Sequence, residues 1–242
     1  MNAKSLGLSL LVAVLVGCGP AVHGSGTLVD VERETSNFAA VELEDGIAAT
    51  VVVDPTQPRR VRLVGDDNLV ERMRTEVGPD GNTLYVHFPE DEVGSWHSDN
   101  PLRAEVTVPE LESLAVSGGG SVDLSGTLDA PAFELEASGG SLVRVRGLNT
   151  ESLNVDESGG SIVELEGFAR KVVGALSGGS QLHGRKLGTH EAEVSSSGAS
   201  TTELQVAETL SVEASGGSTV TIIGRPTVHS QDLSGGSTLH FE

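Results

Sequence analysis

Across 242 residues the chain sets 35 acidic side chains against 15 basic ones, and the formal charge of −20 excludes nucleic acid and direct adsorption to anionic lipid. Aromatic residues make up 3%, too few for the stacking platforms on which sugar- and base-binding faces usually rely. Cys18 is the only cysteine, which excludes an intrachain disulfide and a thiol-based enzyme.

The chain opens with a positive residue, Lys4, then an apolar run from Leu6 to Val16, then Leu15-Val16-Gly17-Cys18. The run is shorter than the roughly 20 residues of a membrane-spanning helix, so residues 1–17 are expected as a cleaved signal peptide. The tetrad matches the bacterial lipobox, whose cysteine thiol accepts a diacylglyceryl group and becomes the new N-terminus. Cys18 is therefore the expected lipidation site and the link to a membrane. Two or more acyl chains are needed there, because each buried CH₂ contributes only about 0.8 kcal/mol. An ordinary secretory signal with an incidental cysteine is the competing reading. Gly19 stands where aspartate would favour the inner membrane, so the outer membrane of a bacterial envelope is the expected location. Residues 18–26 are read as a lipidated linker, and residues 27–242 as one β-domain.

Residues 27–110 read as strands, for example at 49–53, 60–64, 83–88 and 104–108. A short helix is expected over 66–73, with Asp67 as its N-cap. This part is expected to form irregular first coils and a cap, with a separate small β-domain as the alternative. Between Glu90 and Pro101 lies a polar, turn-rich stretch that holds the only tryptophan. Long loops on rigid scaffolds often carry recognition, so Trp96 and His97 are the candidate contact residues. The competing reading has Trp96 covering an edge of the core.

Residues 111–242 are organised by a repeat. Four-residue turns begin at Ser117, Ser138, Ser158, Ser177, Ser197, Ser215 and Ser234, with Ser-Gly-Gly-Ser as the common form. Positions −5, −3 and −1 before each first serine are often apolar (Phe133, Leu135, Ala137), as are +5 and +7 after it (Val143, Val145). A further glycine falls at +9 in four copies: Gly126, Gly147, Gly167 and Gly224. Such period-two alternation means strands with one buried face. One unit cannot bury that face alone, but units stacked about 4.8 Å apart enclose a continuous core. The fold class is therefore all-β, a parallel β-helix (solenoid) with coils of about 20 residues. Serines stacked from coil to coil are expected to exchange hydroxyl hydrogen bonds. The sequence stops at Phe241-Glu242, inside the last coil, and self-association through the solenoid ends is expected.

These turns follow a stretch with Phe38-x-x-Val41, Val61-x-Leu63-x-Gly65-Asp66-x-Asn68-Leu69, Leu84-x-Val86 and Val106-x-Val108-Pro109-x-Leu111. Over residues 27–242 the chain resembles the bacterial "putative auto-transporter adhesin, head GIN domain" family, a domain of unknown function. The resemblance implies a right-handed β-helix in an exported, often lipid-anchored protein, and it carries over no catalytic residues. The usual family turn is Ser-Gly-Ser-Gly-like, whereas Gly-Gly dominates here.

No nucleophile elbow, zinc-protease helix, P-loop or dinucleotide-binding turn is present, and no cofactor or metal set is expected. Position −2 points outward and carries Glu136, Asp156, Glu213 and Asp232, a candidate face for a cation or a sugar. Stacked carboxylates can hold Ca²⁺ or perform acid–base chemistry, so a polysaccharide lyase or hydrolase is the alternative function. A solvated strand face on an acidic protein explains the same residues. The expected function is a lipid-anchored, non-catalytic envelope scaffold, adhesin-like, whose partner is a protein or glycan.

Overall fold

The computed structural model describes residues 19–242, so Cys18 and the expected signal peptide lie outside the described residues. The N-terminal part contains β1 (Ala21–His23), β2 (Leu28–Arg33), β3 (Ala40–Leu43), β4 (Ala48–Val53) and β5 (Arg60–Asp66). After these come α1 (Asp67–Val70), β6 (Arg74–Val77), β7 (Thr83–His87), β8 (Ser95–His97) and β9 (Arg103–Val108). The repeats supply β10 (Ser113–Val116), β11 (Ser121–Gly126), β12 (Leu128–Ala137), β13 (Leu142–Glu157), β14 (Ile162–Leu176) and β15 (Gln181–Ser196). The far end holds β16 (Thr201–Ala214), β17 (Thr219–Ile223), β18 (Thr227–Leu233) and β19 (Thr238–Phe241).

The repeats form a parallel β-solenoid. Each coil has three faces: face A before the Ser-Gly turn, face B after it, and a short face C beyond the second corner. In successive coils Leu135 lies beside Val155, Val143 beside Val163, and Leu128 beside Leu148. The alternation sends Phe133, Leu135, Val143, Val145, Leu153 and Val155 into one core running the length of the stack. Each fully buried side chain of this kind contributes about 1.5–3 kcal/mol relative to exposure.

Glycine occupies the first corner of every repeat and the second corner of four, where the coils touch by their backbones. Gly198 has φ 76°, and a Cβ on it would stand 2.6 Å from the Gly178 carbonyl of the coil before. At the second corner a Cβ on Gly147 would overlap the Gly126 carbonyl. The serine hydroxyls depart from expectation. Ser161, Ser180 and Ser200 each donate to the carbonyl of the first serine of their own turn, at 3.1, 3.0 and 3.0 Å. Where a hydroxyl also reaches the preceding coil it donates to a backbone carbonyl, as Ser218 does to Ser196 at 3.2 Å and Ser237 to Ala214 at 3.0 Å; the one serine–serine hydroxyl pair among the described residues, Ser196 with Ser200, sits within one coil.

The first layers are not in chain order. On face A, β3 lies between β10 and β7, all parallel, and on face B β4 lies between β11 and β9. The outermost layer, β7 and β9, thus follows the second layer in sequence. Three antiparallel strands finish this end: β6 pairs with β7, β5 with β9, and β2 with β5. The helix starts at Asp67, and its N-cap is Asp66 rather than Asp67. Asp66 has extended backbone (φ −65°, ψ 138°), and its carboxylate makes no cap bond because Ser98 Oγ and Asn100 Nδ2 occupy it. At the opposite end Val228 and Phe241 are exposed.

Candidate functional site

Face A brings the outward carboxylates into one column. Cross-strand register places Glu136 beside Asp156, and Glu213 beside Asp232, with Ala175 and Ser195 between the two pairs. Glu42 joins the column beyond Ala115. Its carboxyl is raised above the usual value, first by burial, then by the negative charges of Glu44 and Glu136.

Face B handles the same stacking differently. Its outward column runs Asp123, Arg144, Glu164, His183, Glu203, with an arginine or an imidazole between successive carboxylates. Arg144 Nε lies 3.1 Å from Glu164, His183 Nδ1 lies 3.1 Å from Glu203, and Arg146 reaches Asp123 at 3.3 Å. Arg185 bridges Glu203 and Glu242 at 3.2 and 2.9 Å. Such surface pairs add little stability, about 0–1 kcal/mol each. They do cancel the repulsion that a stack of like charges would suffer, and face A has no such cancellation between Glu136 and Asp156.

The Trp96–His97 loop replaces the Ser-Gly turn in the outermost layer, between β7 and β9. Trp96 is half-buried against the core, and its indole N–H donates to the Asp45 carbonyl at 2.8 Å. Its ring lies 6.5 Å from that of Phe88. The tryptophan therefore braces this end of the fold, while His97 is 73% exposed at its side chain.

Residues 19–26 run against this loop. β1 pairs in parallel with β8, matching Ala21 with Ser95, Val22 with Trp96 and His23 with His97. The imidazoles of His23 and His97 meet edge to face at 6.0 Å. Gly94 N–H donates to the Pro20 carbonyl at 3.0 Å, and Gly24 N–H to the His97 carbonyl at 2.8 Å. Ser25 N–H donates to Asn68 Oδ1, and Asn68 Nδ2 donates to the His23 carbonyl. The segment abuts Asp66 so closely that a Cβ on Gly24 would overlap its carboxylate. Nothing in the spacing of residues 19–26 announces these partners, since they lie some 40 residues or more further along.

A second group that the repeat pattern obscured is Glu157. It takes the inward −1 position, in register with Ala137 and Leu176, and is 1% exposed. Neither carboxyl oxygen has a hydrogen-bond partner. Burial pushes its carboxyl up to about 8. The signal was present, because an acid occupies a place that is apolar or small in the neighbouring coils.

Among the described residues, no group of three or more His, Cys, Asp or Glu is arranged to hold a metal ion. The histidines are dispersed, apart from the His23–His97 pair.

The family model "Putative auto-transporter adhesin, head GIN domain" matches residues 37–226. The chain belongs to this family. Solved structures similar to the chain include one described as a putative adhesin from Bacteroides fragilis, at 20% identity and TM-score 0.80, covering 90% of this chain and 98% of that one. Another putative adhesin, from Parabacteroides merdae, shares 16% identity with TM-score 0.71 over 92% and 99% of the two chains. A protein described as a putative lipid binding protein, from Parabacteroides distasonis, shares 14% identity with TM-score 0.70 over 92% and 100%. At these identities the likeness establishes the fold. A search of curated proteins finds no match.

Proposed function

We propose that the chain is a lipid-anchored cell-envelope protein whose β-solenoid acts as a non-catalytic, adhesin-like binding scaffold. The contrast between the two outward columns carries the reading. Face B balances its charges coil by coil, whereas face A stacks Glu136 on Asp156 and Glu213 on Asp232, leaving them for a partner outside the chain. Strands in a common core present these groups at a fixed spacing of about 4.8 Å, so little ordering cost falls on binding. Family membership and relatives described as putative adhesins support a surface-binding role. The lipobox at Leu15-Val16-Gly17-Cys18 supports the anchor, at the outer membrane by the residue that follows.

Two experiments test this. Growth with an alkynyl fatty acid labels the wild-type chain but not Cys18→Ser; equal labelling of both, or of neither, refutes the anchor. On an array of bacterial envelope oligosaccharides and envelope proteins, the purified protein retains a ligand unchanged in mass, and Glu136→Gln with Asp156→Asn weakens retention. A shortened glycan in the eluate refutes the non-catalytic reading.

A further inference from the structure

The first residues after Cys18 are paired to the body, and this decides which part of it lies nearest an anchor at Cys18. Gly19 lies against the backbone of Glu90 to Gly94, so closely that a Cβ on either Gly19 or Gly94 would overlap the other strand. Beyond it, β1 is paired with β8, and residues 23–27 are tied to Asn68 and Asp67 through Ser25, His23 and Thr27. No slack chain separates Gly19 from the body. Cys18 adds one residue, about 3.8 Å of Cα-to-Cα reach.

We infer that the N-terminal end of the solenoid, comprising β1, β8 and the 88–102 loop around Trp96, is the face that rests on the lipid headgroups. This rests on the lipid-anchor reading above. The long axis of the stack carries the repeats and the face A carboxylates away from the bilayer. The Ser-Gly turn at Ser234 lies furthest out. Eight strand spacings on face B, from β9 to β19, put that end about 40 Å away along the stack.

Charge does not drive this contact. Exposed Glu90, Asp91 and Asp99 on the loop and Asp67 beside Ser25 flank the docked strand, and anionic lipid repels such a rim. Acyl insertion at Cys18 supplies the attraction, and the acidic rim confines the loop to the headgroup level. The occupant of this surface is therefore a lipid bilayer held through the protein's own anchor, with no preference for anionic headgroups.

Trp96 is the sole tryptophan, half-buried beside the docked strand, and reports on the surface directly. The full lipidated protein is bound to phosphatidylcholine vesicles carrying a nitroxide on the headgroup. Trp96 emission is quenched, and a fluorophore on Ser234→Cys is not. Added salt and added phosphatidylglycerol leave co-flotation with the vesicles unstrengthened. Absence of co-flotation would refute the anchor itself. Co-flotation with equal or no quenching at the two positions would refute the orientation while leaving the anchor intact. Gly94→Val, which forces β1 off the loop, keeps co-flotation and loses the Trp96 quenching. If that variant fails to fold by circular dichroism, Gly24→Val replaces it, since its side chain would meet Asp66 instead. Persistent quenching in a folded variant overturns the assignment of β1 docking as the cause.

Discussion

Glu157 makes the stability of this solenoid depend on pH in a calculable way. Its carboxyl is buried among Ala137, Leu176 and the rest of the core with no partner for either oxygen, and burial raises it from 4.5 to about 8. At neutral pH it therefore keeps its proton in the folded state and loses it in the unfolded state. The raised value means that its full contribution is present below pH 4.5 and is lost as pH rises towards 8, above which no further loss follows. At 1.36 kcal/mol per unit the difference amounts to about 5 kcal/mol, a large part of the stability of a domain this size. Glu157→Gln keeps the shape and removes the titration. Urea unfolding at pH 5 and pH 8.5, with wild type and variant side by side, isolates the effect, because every other titrating group is common to both. Wild type is expected to lose several kcal/mol more than the variant across that interval. Parallel curves, with the midpoint difference unchanged from pH 5 to pH 8.5, would refute the claim that the group is buried and unpaired.

The acid limb should be governed in part by Asp66, whose carboxylate is held below the usual range by hydrogen bonds from Ser98 and Asn100. Its contribution is present above the ordinary carboxylate range and is lost as pH falls through the lowered value, so Asp66→Asn flattens acid unfolding below pH 4, read by circular dichroism. At the first corner, Gly198→Ala places a methyl 2.6 Å from the Gly178 carbonyl at φ 76° and should cost about 1–3 kcal/mol in urea unfolding. Ala199→Gly should change stability by less than about 1 kcal/mol, since glycines at that third position in the neighbouring turns, such as Gly179, face no close contact. Leu153→Ala opens a hole in the middle of the stack and should cost about 2–5 kcal/mol by the same assay.

The repeat was legible because inward positions answer to one shared requirement. Each coil must match the apolar content of the coils on either side, so Leu135, Val155 and Val212 recur at a constant offset from their turns. Glycine recurs for an equally local reason, the backbone contact between consecutive corners. Nothing comparable constrains the order of layers at the N-terminal end. The strands β3 and β9 have the same alternation, and their sequences do not state that β7 and β9 lie outside β3 and β4. That arrangement depends on the antiparallel strands β5 and β6, which reverse direction between those layers and finish the end of the sheet.

The stacking of Glu136 on Asp156 and of Glu213 on Asp232 was legible from position −2, and what register adds is the comparison with the other outward face. Position −2 identified Glu136 and Asp156, but their meaning depends on comparison with face B, where Asp123, Arg144, Glu164, His183 and Glu203 follow each other in space. A parallel stack repeats each outward position about every 4.8 Å, so unlike charges attract and like charges repel along the whole column. The same fold uses that geometry to neutralise one face and leaves the other acidic, and this asymmetry survives in no composition or period. The docked strand β1 raises the same difficulty at longer range. Its partners Ser95, Trp96 and His97 are more than 70 residues away in sequence. Residues 18–26 read as a lipidated linker until the loop that receives residues 19–26 is seen. Once it is seen, the proposed anchor, the loop and the orientation of the carboxylate face become one mechanical question, decided by whether β1 stays on β8.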